Sequence, residues 1–269
     1  MTYRELVEQT KPLSRYCTRK VHFKARSPVP ICAGKSNWIV MAVLGLLLSE
    51  AYFVLLNPFQ THARLWAIIV AVDAVLVICS SATVRLMKKP ASARPRPGHG
   101  RKSNDSRRPS IYPLHHGDHR HTKKAVPNQQ TVLTGLHEHA VPCGMTAMDS
   151  DLRSLQFASY AFHILIRDIF STIEAGGCLC IPSKQEDTGS AEVMEFIARN
   201  QTDWGDITPC LTSFLGPAKV PTLPAICLMG KPLARSQAEA WSSRLQLINI
   251  YGPRECTIAC LANSRVKAK

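Results

Sequence analysis

The chain has 269 residues and is 45% apolar, enough for one large or two small domains with a real core. Its 33 Lys and Arg against 19 Asp and Glu give a net charge of +14, a balance that ordinarily points to nucleic acid or an anionic membrane. Twelve of the basic residues and only two Asp lie between Arg85 and Lys124, so most of the excess belongs to one stretch and no specific nucleic-acid surface is implied.

The ten cysteines form no C-x-x-C pair and no metal-ligand spacing. Most lie in apolar runs such as Cys178-Leu-Cys180 and Ile226-Cys-Leu228, where a thiol acts as a small hydrophobe. They read as reduced core residues of a cytoplasmic protein. Met1-Thr-Tyr-Arg-Glu-Leu6 is charged and lacks an apolar h-region, so no secretory leader is expected.

In chain order, Met1–Gln9 starts an amphipathic helix, with Thr2 as N-cap and Glu5 at capping-box spacing. Val29–Cys32 reads as a strand, Lys35–Ser49 as a buried helix and Tyr52–Leu56 as a strand closed by Asn57-Pro58. Trp38–Leu56 is almost wholly apolar, near the ~20 residues a membrane span needs. A small basic membrane-associated protein anchored by this run is therefore the rival reading. Glu50 in this run and Asp73 in the next, Leu65–Cys79, weigh against it, because a charge near the bilayer centre is costly. Arg64–Ser80 reads as a helix followed by a strand over Asp73–Cys79. Such alternation predicts an α/β fold with a largely parallel sheet.

Lys88–Gln130 changes character. Prolines, positive charge and almost no apolar residues predict a disordered insert. His115–His121 within it is rich in histidine, but without a folded frame it makes a poor metal site. Thr131–Ala140 reads as a helix. Leu155–Pro182 then runs from a short strand through apolar positions Phe162, Ile166, Ile169, Phe170 and Ile173 at helical spacing, stops at Gly176-Gly177, and enters a strand at Cys178–Ile181. Glu192–Asn200 is a helix; Ala225–Gly230 and Gln246–Tyr251 are strands. Function is expected at the C-terminal ends of these strands.

Two blocks carry a resemblance. Phe157-Ala-Ser-Tyr-Ala-Phe-His163 and its continuation to Gly177 resemble F-A-S-Y-x-F-D-x-S-x-x-E-I-F-x-x-L-x-x-G-G of adenylate-forming enzymes, specifically fungal nonribosomal peptide synthetase adenylation domains. Asn249-Ile-Tyr-Gly-Pro-Arg-Glu255 resembles their N-x-Y-G-P-T-E, and Asp206-Ile-Thr-Pro209 their L-T-P. In the family's A-x-L-A-V-L-K-A-G-G-A-Y-V-P-L-D-P register, the Gly-Gly pair becomes Glu50-Ala51. The resemblance implies layered, largely parallel sheets with flanking helices, as in the large N-terminal subdomain. It divides the chain into 1–85, an insert at 86–130, the remainder at 131–262 and a tail at 263–269.

It also implies an activity: ATP and an amino or related carboxylic acid give an acyl-AMP, which a carrier-protein pantetheine thiol then takes in secondary metabolism. Gly230, Asn249, Tyr251, Gly252, Pro253, Arg254 and Glu255 correspond to the nucleotide site, with Tyr251 stacking on adenine and Glu255 helping to hold Mg. Arg254 stands where the family has a phosphate-contacting Thr. The acid pocket would be lined by His163, Ile164, Arg167, Ile207, Cys227, Met229, Ile250, Ile258 and Ala259. His163 replaces the Asp that pairs with the substrate ammonium, and Arg167 could suit a carboxylate-bearing or aryl acid.

The family's phosphate loop, T-S-G-S-T-G-x-P-K-G, has no counterpart between Ser80 and Thr131. The family's ribose-binding Asp and lid-domain Lys lie beyond the point matching Lys269. The expectation is a truncated, degenerate adenylation subdomain, inactive alone unless a separate chain supplies the lid, with the insert arising from translated intron or a disturbed exon.

Overall fold

The structure is a computed structural model and describes residues 1–19, 27–88, 129–145, 152–160, 162–253, 256 and 258–267. Residues 89–128 of the expected insert, with its histidines, and Arg254 and Glu255 lie outside the described residues. The chain divides into two compact units, Met1–Gln130 and Thr131–Lys269.

In the first unit, helix α1 (Tyr3–Arg19) begins with the expected capping box. The Thr2 amide donates to Glu5 Oε2 at 2.7 Å and the Glu5 amide to Thr2 Oγ1 at 3.3 Å. Strand β1 (Pro28–Cys32) pairs in parallel with β2 (Tyr52–Leu56) and β3 (Ile78–Cys79), in the order β2-β1-β3. Helices α2 (Asn37–Leu48) and α3 (His62–Ala71) connect them. Cys32, Val54, Leu56, Leu65, Ile68, Ile69 and Val72 form one core cluster. At the end of β3, the buried Thr83 hydroxyl donates to the Cys32 carbonyl and anchors the following turn to β1.

The apolar run Trp38–Leu56 is interrupted: α2 stops after Leu48, Glu50 takes φ 56, and the chain re-enters as β2. Among the described residues no helix is long and apolar enough to cross a membrane, so the anchored-protein reading falls. The strand expected over Asp73–Cys79 shrinks to Ile78–Cys79. Asp73 takes φ 54 just past α3, and a left-handed residue cannot continue an extended strand.

Helix α4 (Gln129–Ala140) lies in the second unit from Thr131 onward, and the unit contains β4 (Arg153–Leu155), α5 (Ile164–Glu174), β5 (Cys178–Cys180), α6 (Ser190–Asn200) and β6 (Trp204–Ile207). It continues with the short α7 (Pro209–Thr212), β7 (Ala225–Leu228), α8 (Arg235–Ser242), β8 (Gln246–Tyr251) and β9 (Leu261–Asn263). The sheet order is β5-β4-β6-β7-β8-β9, parallel throughout except for antiparallel β9. Ile226 and Leu228 of β7, Trp241 of α8, and Val193, Phe196 and Ile197 of α6 belong to one core cluster.

Helix α5 ends where the sequence places its stop. Gly176 has φ 71, the Gly177 amide donates to the Thr172 carbonyl at 2.9 Å, and a Cβ on Gly177 would lie 2.7 Å from the Leu152 carbonyl oxygen. Phe162, however, precedes α5 and is 55% exposed rather than part of its apolar face. The cysteines are all free, and five are buried, but Cys178, Cys210, Cys256 and Cys260 are exposed, which corrects their reading as core residues. Beyond β9, the Val266 amide donates to the Leu247 carbonyl at 3.1 Å.

Candidate functional site

Because β4 through β8 run in parallel, their C-terminal ends share one edge of the sheet. Each of β4, β6, β7 and β8 releases there a loop carrying a residue singled out from the sequence: Phe157–His163, Thr208-Pro209, Met229-Gly230 and Gly252-Pro253. The first resembling block meets the turn that follows the second: His163 Nε2 lies 3.2 Å from the Ile258 carbonyl oxygen. Ile258 has φ 86, an uncommon conformation for a β-branched residue, which points that carbonyl at the start of α5.

The turn after β8 is tight. A Cβ on Gly252 would lie 2.3 Å from Ala259 Cα and 2.6 Å from the Ile258 carbonyl oxygen, so only glycine lets the chain fold back this closely. Tyr251 beside it is 64% exposed at the strand end, as a ring available for stacking must be. Gly230 follows β7 with φ 85. Asn249 of β8 stands in register with Leu228 on one side and Asn263 on the other.

The expected acid-pocket residues divide differently. Ile164, Arg167, Ile207, Cys227, Met229, Ile250, Ile258 and Ala259 are all buried, and only His163 is half-buried. The Met229 amide donates to the Ile207 carbonyl at 3.3 Å, and Asp206 is in register with Cys227, which brings the β6 and β7 members together. A cavity of about 620 Å³ lies elsewhere, lined by Pro217, Val220, Leu223, Arg244 and neighbours at the N-terminal ends of β7 and β8. It is remote from the strand ends that carry the motifs.

Arg167 is not a free cation facing this edge. Its Nη1 donates to Asp206 Oδ1 at 3.0 Å and to Cys227 Sγ at 3.5 Å, and its guanidinium lies 4.9 Å from the Trp204 ring centre. The Trp204 indole donates to the Cys143 carbonyl at 3.0 Å. Burial alone would pull the Arg167 pKa down; Asp206, then the Cys227 and Cys143 thiols, outweigh it and hold the guanidinium above its ordinary value. The reading of Arg167 as a cation available to a substrate carboxylate therefore loses its support, because the charge is already compensated.

Asp168, next along α5, is fully buried against the same cluster. Neither of its oxygens, nor Asp206 Oδ2, completes a hydrogen bond of strict geometry with a described residue, although the Asp206 carboxyl and the Gln156 side chain both lie against it. Two carboxylates and one guanidinium would leave an uncompensated charge in the interior, where its solvation cannot be replaced. One carboxyl must keep a proton. Asp206 has Arg167, so the proton belongs on Asp168. Burial first, then the Asp206 charge, push Asp168 well above the usual carboxylate range; burial also raises Asp206, against the pull of Arg167.

Asp168, Asp206, Cys143 and Trp204 were not read as functional residues from the sequence. Their signal was weak but present: two acids in largely apolar segments, Ile164–Ile169, where Arg167 is the other charge, and Trp204–Ile207, must find partners or protons if buried. No group of three or more His, Cys, Asp and Glu able to hold a metal occurs among the described residues. The expected Mg ligand, Glu255, lies outside them, as does Arg254.

Comparison with known proteins agrees with this architecture. No protein-family model matches the chain. HC-toxin synthetase of Cochliobolus carbonum is 40% identical over 98% of this chain and 5% of its own length. Apicidin F synthase of Gibberella fujikuroi is 36% identical over 99% of this chain and 6% of its own. The chain thus spans about a twentieth of the length of these two relatives. Among solved structures, the nonribosomal peptide synthetase FmoA3 in its α-methyl-L-serine-AMP bound form superposes with TM-score 0.85 at 14% identity, covering 100% of this chain and 32% of that one. The N-terminal subdomain of Klebsiella oxytoca NpsA, in complex with 3-hydroxyanthranilyl-AMSN, gives TM-score 0.79 at 14% identity, covering 100% of this chain and 70% of that one.

The fold is therefore that of the N-terminal subdomain of an adenylation domain. Within that class the chain belongs with the fungal nonribosomal peptide synthetases, of which it matches part of one adenylation domain.

Proposed function

We propose that this chain keeps the shell of an adenine-nucleotide site from an adenylation domain that activated an amino or related carboxylic acid, and that by itself it has no ligase activity. The observation that carries the reading is the 3.2 Å contact of His163 Nε2 with the Ile258 carbonyl, which joins the first motif loop to the turn that follows the second at one sheet edge. Tyr251 offers the adenine a stacking face, and Gly252 with Pro253 sets its approach. Gly230 and Asn249 border the same edge.

What argues against catalysis is chemical. His163 supplies no carboxylate for a substrate ammonium, and Arg167 spends its charge on Asp206. The sequence from Ser80 to Thr131 has no glycine- and hydroxyl-rich loop to present backbone N–H groups to phosphates. Electrostatic preorganisation at the reacting phosphate is commonly the largest catalytic contribution, with one donor worth about 3 kcal/mol, so its loss removes most of the rate. Magnesium, if it binds, would be held through Glu255 and the nucleotide's own phosphates.

Calorimetric titration with AMP and with ATP plus Mg tests the reading. Stacking without a phosphate grip gives weak and equal affinities for the two. Markedly tighter ATP binding would show that a phosphate site persists; no binding of either nucleotide would remove the nucleotide-site reading.

A further inference from the structure

The cavity of about 620 Å³ opens at the N-terminal ends of β7 and β8, and the four residues of β7 set it back from the motif loops by about 13 Å. Its floor is apolar: Val220 and Leu223 belong to the core cluster that includes Trp241, and Leu245 packs against it. Its walls are two short segments. In one, Pro217 and Pro221 fix φ, the Lys219 amide donates to the Gly216 carbonyl at 2.9 Å and the Leu223 amide to the Val220 carbonyl at 3.1 Å. The other leaves α8 through Ser243–Leu245, where the Arg244 and Leu245 amides donate to the Trp241 carbonyl at 3.1 and 3.2 Å. The Gln246 amide, donating to the Pro224 carbonyl at 2.8 Å, ties the two segments together. A cavity held this way is preformed, and a ligand entering it has little chain left to order.

Arg244 supplies the charge of the lining, which contains no acidic residue. It is exposed, and among the described residues its side chain makes no ion pair and no hydrogen bond. The carbonyl end of α8 opposes it with only about half a unit of negative charge, which fades within a turn. Its planar fork of donors is therefore open to a pair of ligand oxygens. We propose that this cavity binds a small organic carboxylate with a compact apolar body, such as benzoate, its carboxylate on Arg244 and its body over Val220, Leu223 and Leu245. A volume of this size is typical of small-molecule sites. A phosphate ligand fits less well, because one guanidinium above an apolar floor leaves most of its charge and its oxygens unmatched.

The test titrates the full chain, labelled at the Ile, Leu and Val methyls, with benzoate and separately with benzamide, which keeps the ring and lacks the charge. Benzoate should saturate at millimolar concentration and shift the Val220, Leu223 and Leu245 methyl signals, with benzamide about tenfold weaker, the worth of one charge-assisted pair. Arg244→Gln should weaken benzoate by about the same factor and leave benzamide unchanged, while Arg244→Lys keeps a charge without the fork and falls between. The side chain is exposed, so both variants should melt as the parent does, which serves as the folding control. Absence of benzoate binding, equal affinity for the two probes, indifference to Arg244→Gln, or shifts confined to Ile250 and Ile258 at the motif edge overturns the proposal. No nucleotide enters the assay, so its outcome is independent of the nucleotide-site reading.

Discussion

Arg167 Nη1 and Asp206 Oδ1 stand 3.0 Å apart with both side chains only 1% exposed. This pair sits where the resemblance places an acid-binding pocket, and it turns a prospective recognition residue into a structural one. A buried pair contributes little over a well-packed apolar one, but removing one partner strands the other. Asp206→Ala is therefore expected to cost about 3–5 kcal/mol in urea unfolding, while Arg167→Met with Asp206→Leu costs much less than the two single changes together. Additive losses would contradict the pairing.

Burial of Asp168 together with Asp206 has a signed consequence. Both carboxyls are raised above their unfolded values, so the folded state binds more protons and the associated stability is present at low pH. That stability is lost as pH rises from about 4, the unfolded Asp range, through the folded pKa. Asp168→Asn replaces the O–H donor with an N–H donor that does not titrate. Urea unfolding across this range should show a flatter pH dependence for Asp168→Asn and greater stability than the parent at neutral pH. An unchanged slope would place the proton elsewhere.

Glu50 holds φ 56 at the turn between α2 and β2, at the place of a glycine pair in the resembled motif. A left-handed L-residue costs roughly 1–2 kcal/mol, partly offset by the greater chain entropy of glycine. Glu50→Gly should therefore stabilise the protein by about 0.5–1 kcal/mol in denaturant melts. Destabilisation would mean that the Glu50 side chain contributes more than the strain costs.

Gly252→Ala and Gly230→Ala should separate sharply. The first forces a Cβ to within 2.3 Å of Ala259 Cα, so the turn must open, with an expected loss of about 1–3 kcal/mol and of nucleotide-induced quenching of Tyr251. The second meets nothing within 4 Å and bears only the cost of its φ of 85, about 1 kcal/mol. Equal effects would count against the close approach.

The parts legible in the sequence were those fixed by local chemistry. Tyr52–Leu56 and Gln246–Tyr251 are apolar runs rich in strand formers, and both appear as β2 and β8 with those bounds. The Thr2–Glu5 box and the Gly176-Gly177 stop are short-range devices that need no partner. Helix α8 was missed because Arg235–Ser242 buries little besides Trp241, and β9 because its three residues are all exposed. The strand expected at Asp73 failed on one left-handed residue. The contacts of Arg167 were illegible for another reason: they depend on Asp206 lying 39 positions away, and only the sheet decides that the two meet. Phe162 illustrates the same limit, since periodicity cannot tell where a helix begins when no cap residue marks it.

Exchange of labelled pyrophosphate into ATP, with the purified chain and panels of amino, hydroxy and aryl acids, is the most direct trial of the functional reading. With no phosphate-loop motif in the sequence between Ser80 and Thr131 and the Arg167 charge already matched, no acid should stimulate exchange above background. Acid-dependent exchange by the chain alone would contradict that reading outright.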